Sequence, residues 1–360
     1  MGEQKNSYKR LAERLDALPN GFPPTEDGAE LRLLAKLFTP EEALLACQLR
    51  LTLETPAQIA GRIGGDPKAL RNQLKGMARR GLIAAGRAKG GMGYGLLPFA
   101  FGIYEMQAGS IDSELARLFE DYYQRAFGQA LSMQPSLNRV IPVDKSVRAD
   151  MAVEPFESAA DIVISARAWG VLDCICRKQK ALIGEPCGHP LDVCMVLGHV
   201  PGLFAHSPIV RALTREEAMA TLQRAAEAGL VHSVSNSQQG LWYICNCCTC
   251  SCGVLRGMAD LGIANVIARS AFVNRVDDLL CTACGLCVES CQFEALSLED
   301  TVRIDEIRCV GCGVCVSVCP EGALSLVRRL PEEGLPPPVT EADWQAQRAT
   351  ARGLDLNAVV

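Results

Sequence analysis

Seventeen of the eighteen cysteines in this 360-residue chain lie between Cys174 and Cys319; only Cys47 stands apart. Any fold for the chain must give these thiols a use, and pairing them as disulfides requires an oxidising compartment. The N-terminal MGEQKNSYKR is polar and lacks the apolar core of a signal peptide. No stretch approaches the roughly 20 apolar residues of a membrane span. The expected compartment is therefore the cytoplasm, where thiols stay reduced and metal ligation is their leading use.

The last eight cysteines form an internal repeat. LLCTACGLCVESCQFEALSL and IRCVGCGVCVSVCPEGALSL align at an offset of 28 residues, and both end in Ala-Leu-Ser-Leu. Two-residue gaps let three thiolates of one tight loop reach three irons of a [4Fe–4S] cube, while the fourth is carried away to the other cube. The expected ligand sets are Cys281, Cys284, Cys287 and Cys319 for one cluster, and Cys309, Cys312, Cys315 and Cys291 for the second. Ala283, Gly285, Gly311 and Gly313 are small enough to let backbone amides approach the sulfurs. Paired zinc ribbons are the alternative use of eight thiols, but two C-x2-C-x2-C-x3-C runs at a fixed repeat favour clusters. The segment resembles the bacterial two-cluster ferredoxins. That resemblance implies two βαβ-like halves about a pseudo-twofold and one-electron transfer. It departs from the pattern at Gln292, where the second run keeps Pro320. Between Asp277 and Pro320 eight acids stand against Arg303 and Arg308, as a solvated surface or as a docking surface for a basic redox partner.

Nine further cysteines fall in two clumps, DCICRKQKALIGEPCGHPLDVC and ICNCCTCSCG. Their convergence suggests a third [4Fe–4S] cluster on Cys174, Cys176, Cys245 and Cys248, with Cys187, Cys194, Cys247, Cys250 and Cys252 as alternative ligands. Zinc is the main rival, since it accepts C-x-C and mixed Cys/His sets; a reactive thiol pair is a third option. His189 is a possible ligand beside Cys187. Arg177 and Lys178 either offset cluster charge or form an ordinary solvated pair. Cys47 is expected in the core.

Upstream, Thr39-Pro40-Glu41-Glu42, Thr55-Pro56 and Asp66-Pro67 are helix-start signals. They predict helices near 56–63 and 67–80, followed by strand, glycine-rich turn and strand. The stretch PAQIAGRIGGDPKALRNQLKGMARRGLIAAGRAKGGMGYGLLP resembles the winged helix-turn-helix domains of MarR-like regulators. Ile59, Ile63, Leu70, Leu74, Met77 and Leu82 would form its core. Lys68, Arg71, Asn72 and Lys75 would face outward, with Arg87 and Lys89 on the wing, as contacts for nucleic acid or a partner protein. From 61 to 90 eight basic residues meet one acid, Asp66, the footprint expected of phosphate contact. A helix over 111–131 carries Ile111, Leu115, Leu118, Phe119, Tyr122 and Ala126 on one face, for packing within its domain or for a homodimer contact.

With 49% hydrophobic residues and a net charge of −5, the chain has apolar material for several cores. The expected organisation is α+β multidomain. A lead-in (1–27) precedes a winged-helix-like domain (28–107), a helical connector (108–155) and a cysteine-rich α/β domain (156–270). A ferredoxin-like two-cluster domain (271–330) and a surface tail (331–360) follow. Taken whole, with LPFAFGIYEMQ, DCICRKQ, HPLDVC, GLVHSVSNSQ and ICNCC-x-C-x-C, the chain resembles bacterial and archaeal 4Fe–4S-binding proteins of this layout. That implies an electron carrier, alone or serving an oxidoreductase complex. The alternative is an iron–sulfur redox-sensing DNA-binding regulator. No Rossmann fingerprint, P-loop or Ser/His/Asp set marks a catalytic subunit.

Overall fold

The computed structural model describes residues 2–143, 146–264, 266–330 and 336–356. The chain divides into two compact units. One comprises Met1–Met133, Lys178–Glu185 and Gln345–Val360; the other comprises Gln134–Arg177 and Pro186–Trp344.

In the first unit, α1 (Gly2–Asp16), α2 (Ala29–Leu37) and α3 (Pro40–Ala46) precede α4 (Pro56–Ile63) and α5 (Pro67–Arg79). The start signals are made as hydrogen bonds. Thr39 Oγ1 accepts from the Glu42 N–H at 3.2 Å while the Glu42 carboxylate accepts from the Thr39 N–H at 3.0 Å. Thr55 and Gln58 repeat that exchange, and Asp66 caps the Ala69 N–H at 2.8 Å. Each bond satisfies a donor that the first helical turn leaves orphaned. The antiparallel hairpin of β1 (Ala84–Ala88) and β2 (Gly91–Gly95) follows, and Glu54 bridges to Tyr94 beside it. Ile59, Leu74, Met77 and Leu82 are buried as expected, whereas Ile63 and Leu70 are only half-buried.

The helix expected over 111–131 is α6 (Ser113–Tyr122), a π-helical turn (Tyr123–Phe127) and α7 (Gly128–Ser132). Its apolar face is already covered: Phe119 stacks on Tyr104 at 3.8 Å between ring centroids, and Tyr122 packs against Phe22 at 4.7 Å. The face is thus used for packing inside its own unit.

In the second unit, β3 (Asn138–Ile141), α8 (Ala159–Ser165), β4 (Ala168–Leu172), α9 (Ile175–Leu182, leaving this unit after Arg177), β5 (Cys194–Gly198), β6 (Arg211–Leu213), α10 (Arg215–Glu227), β7 (Val231–Ser235) and β8 (Tyr243–Cys247) occur in that order. Six strands make one sheet, β3-β7-β8-β5-β4-β6, with every pairing antiparallel. The expected α/β character is corrected here, because neighbouring strands run in opposite directions and the architecture is α+β. Ile162 and Val163 of α8 and Ala218 and Leu222 of α10 cover one face of the sheet, against Met195, Leu197, Val234 and Ile244.

After the short α11 (Arg256–Ala259), the repeat segment forms two matched halves. One is β9 (Phe272–Val276), α12 (Leu286–Ser290) and β10 (Leu296–Leu298); the other is β11 (Val302–Ile304), α13 (Val314–Ser317) and β12 (Leu324–Arg328). β9 pairs with β12 and β10 with β11, so each half lends a strand to the other. The boundary expected at 270/271 is bridged by the bond from Ser270 N–H to Val310 O, and the segment around β3 holds both sides, through Val140 N–H to Ala268 O and Val143 N–H to Cys312 O. The cysteine-rich stretch and the repeat segment therefore belong to one compact unit.

The tail is not a surface extension over its described part. Along α14 (Glu341–Arg352), Trp344 is buried, and Arg348, fully buried, donates to Pro19 O, Met133 O and Ala130 O. A side chain with five donors can satisfy several loop carbonyls at once. Glu332, Glu333 and Gly334 of the expected tail lie outside the described residues.

Candidate metal centres

The eight repeat cysteines sort into two sets of four. Cys281, Cys284, Cys287 and Cys319 line one small cavity, and Cys291, Cys309, Cys312 and Cys315 line another. Each set joins three thiols of one loop to the fourth of the other run, the pairing read from the spacing. The loops are held by left-handed backbone at matching positions: Ala283 and Gly311 (φ 54° and 70°), and Gly285 and Gly313 (φ 81° and 78°). A Cβ at Gly311 would stand 2.0 Å from Phe272 O, so only glycine fits there.

Donors reach the sulfurs of the second set. The Ala295 N–H lies 3.4 Å from Cys291 Sγ, and Asn274 Nδ2 donates to Cys315 Sγ at 3.2 Å. Asn274 is buried, and its Oδ1 has no partner among the described residues. Nothing in the linear sequence singles it out, because it reaches the thiol only through the β9–β12 pairing. Burial pushes Cys312 up to about 12 and Cys315 upward as well. Thiols so placed ionise only beside compensating positive charge, which cluster iron supplies. The donor sets fit two [4Fe–4S] clusters.

The nine middle cysteines divide into two groups. On β8 the pleat sends Ile244 into the helix-covered core and Cys245 and Cys247 to the opposite face. On β5, Cys194 likewise faces away from the core residues Met195 and Leu197. Cys174 interacts with Cys176 and Cys194, Cys176 with Cys252, and Cys247 with Cys245 and Cys252. Hydrogen bonds from Cys176 and Cys194 hold Cys174 well below the usual thiol range. Cys176, Cys194, Cys245, Cys247 and Cys252 are all pushed upward. Six crowded thiols cannot ionise together without a cation among them.

Cys248 is not in this group. It lies with Cys187, His189 and Cys250, whose ligand atoms all fall within 4.8 Å of one another. The structure thus brings Cys174, Cys176 and Cys245 together and separates Cys248 from them. The charge of Arg177 lies between the groups. Burial opposes that charge, but Cys174, Cys248 and Cys247 outweigh it and raise its pKa. Its guanidinium donates to Pro190 O and Asn246 O and stands 3.6 Å from Cys248 Sγ. Of the two basic residues after the C-x-C, Arg177 therefore serves the thiols, whereas Lys178 belongs to the first unit and donates there to Ala108 O. Cys47, expected in the core, is half-buried and donates to Leu44 O at 3.1 Å.

Lys68, Arg71, Asn72 and Lys75 on α5, and Arg87 and Lys89 on the hairpin, are all exposed. Two of the eight basic residues in this stretch are neutralised, Arg62 by Glu54 and Arg80 by Glu42.

Residues 280–326 match the family model of the 4Fe-4S dicluster domain. This segment makes the chain an iron–sulfur protein. No curated protein and no solved structure matches the chain. No helix among the described residues is long and apolar enough to cross a membrane.

Proposed function

We propose that the chain is a one-electron carrier in which the dicluster segment exchanges electrons with a third iron–sulfur site in the six-thiol group. The observation that supports the proposal is that six further cysteines, at the start of α9, on β5 and on and after β8, belong to the same compact unit as the two dicluster sets. The clusters supply the reversible one-electron chemistry; the chain's residues bind them, exclude water and set their potentials. Cys174, Cys176 and Cys245 remain the proposed ligands of the third cluster, with the fourth drawn from Cys194, Cys247 and Cys252.

The surface around the dicluster suits a protein partner. All eight acids counted there are exposed, and Leu279 and Ile307, equivalent positions of the repeat, are 96% and 76% exposed beside the first cysteine of each run. An apolar contact ringed by acidic charge fits a basic redox partner or a subunit of an oxidoreductase complex.

The test is anaerobic iron analysis with EPR of the reduced protein. Cys176→Ala and Cys245→Ala should each lower iron by one cluster's worth and spare the dicluster signals. Unchanged iron in both variants would remove the third cluster from the proposal.

A second reading, a redox-sensing regulator, rests on the exposed basic side chains of α5 and the hairpin. Among the described residues none of Lys68, Arg71, Lys75, Arg87 and Lys89 makes an ion pair. Tight, sequence-selective duplex binding with a steep salt slope would support it, and weak uniform binding would exclude it.

A further inference from the structure

We infer that Cys187, His189, Cys248 and Cys250 form a mononuclear zinc site, separate from the six-thiol group and from both dicluster sets. Two short loops supply the ligands, Cys-Gly-His at 187–189 and Cys-Thr-Cys at 248–250. One residue stands between the ligands of each pair.

The distances fit one ion. Zinc–sulfur bonds of about 2.3 Å and zinc–nitrogen bonds of about 2.0 Å in a tetrahedron place two sulfurs about 3.8 Å apart and a sulfur and nitrogen about 3.5 Å apart. Cys187 Sγ lies 3.9 Å from Cys248 Sγ and 3.4 Å from His189 Nδ1. All four ligand atoms lie within 4.8 Å of one another.

The same structure contains an internal comparison. Thiolates of a cube bind four different irons and point outward from its corners, so they stand further apart than ligands sharing one ion. Among the described residues no other set of three or more possible ligand atoms is gathered as closely as these four. That includes the dicluster thiols. The compact set is therefore built for a single ion.

Three thiolates and one imidazole on a zinc dication leave one net negative charge. The Arg177 guanidinium, 3.6 Å from Cys248 Sγ and buried, is placed to neutralise it, and Ser251 Oγ lies 3.8 Å from Cys250 Sγ. Four protein ligands close the coordination sphere, which marks a structural site rather than a catalytic one. The site would staple loop 187–189 to the loop that runs on to Cys252 of the six-thiol group. It does not depend on the electron-transfer reading.

The experiment measures zinc and iron on the full chain purified anaerobically, with zinc-edge X-ray absorption. The expected result is one zinc per chain in a three-sulfur, one-nitrogen shell. His189→Ala and Cys250→Ser should release zinc to a chromophoric chelator at least tenfold faster and leave iron unchanged. His189→Cys should retain zinc and convert the shell to four sulfurs, which covers the case in which the other variants fail to fold. Loss of iron rather than zinc would assign these ligands to a cluster and overturn the inference. A chain with no zinc, or with iron in the four-ligand site, would overturn it equally. Loss of the third cluster in Cys176→Ala with zinc retained would leave this site standing.

Discussion

Gln292 Oε1 accepts a hydrogen bond from the Thr249 backbone N–H at 2.8 Å, fastening the first cysteine run of the dicluster to the loop between Cys248 and Cys250. The other end of the same side chain donates to Gly229 O at 2.5 Å, where α10 gives way to β7. This is the position at which the second run carries Pro320. A proline could make neither bond, so the departure from the repeat is a tether between two parts of one unit.

Gln292→Pro should therefore keep both dicluster EPR signals, because Cys291 and its fellow ligands are untouched. It should lower stability by about 1–3 kcal/mol through the two half-buried backbone groups left without partners. Thermal unfolding of the two proteins checks this. An unchanged melting temperature would show that the tether contributes nothing.

Asn274 offers a test of how potentials are set. Its Nδ2–H donates to Cys315 Sγ, and a hydrogen bond to a thiolate stabilises the more negative, reduced cluster. Asn274→Leu should lower the potential of the cluster on Cys309, Cys312, Cys315 and Cys291 by on the order of tens of millivolts. The other dicluster couple should hold steady. Redox titration monitored by EPR would refute the assignment if both couples moved equally or neither moved.

The repeat mates Ala283 and Gly311 should respond asymmetrically. Gly311 is enclosed by Phe272 O and Ser270 Oγ, which would stand 2.0 and 2.2 Å from the Cβ of an alanine there. Gly311→Ala should cost the second cluster, seen as a loss of one cluster's iron. Ala283→Gly relieves a left-handed alanine and should retain full iron.

His232 gives a pH dependence. It is fully buried, its Nδ1 is 2.5 Å from Asn246 Oδ1, and burial lowers its pKa from 6.5 to about 4. The unfolded chain therefore binds the proton more readily between these values. Stability contributed by neutral His232 is present above pH 6.5 and is lost as pH falls toward 4, by about 3 kcal/mol in all. His232→Gln should flatten that part of the stability–pH curve measured by denaturant unfolding. An unchanged slope would show that another group governs it.

The sorting of the repeat cysteines into two sets of four was legible in their spacing, because two-residue gaps and a 28-residue repeat encode the geometry of a local loop twice over. So were the helix starts at Thr39, Thr55 and Asp66, whose caps need only three residues of chain. The middle thiols were different. Alternation along β8 explains why Cys245 and Cys247 share a face, but Cys248 follows the last strand residue and turns toward Cys187 instead. That division depends on which strands pair, β5 with β8 and β4 with β5, and pairings so distant in sequence leave no mark on cysteine spacing. The burial of Arg177 among thiols, the reach of Asn274 to Cys315 and the anchoring of the tail helix by Arg348 all arise from contacts across the fold. In each case a polar group finds its partner across the fold, where burial makes the bond obligatory.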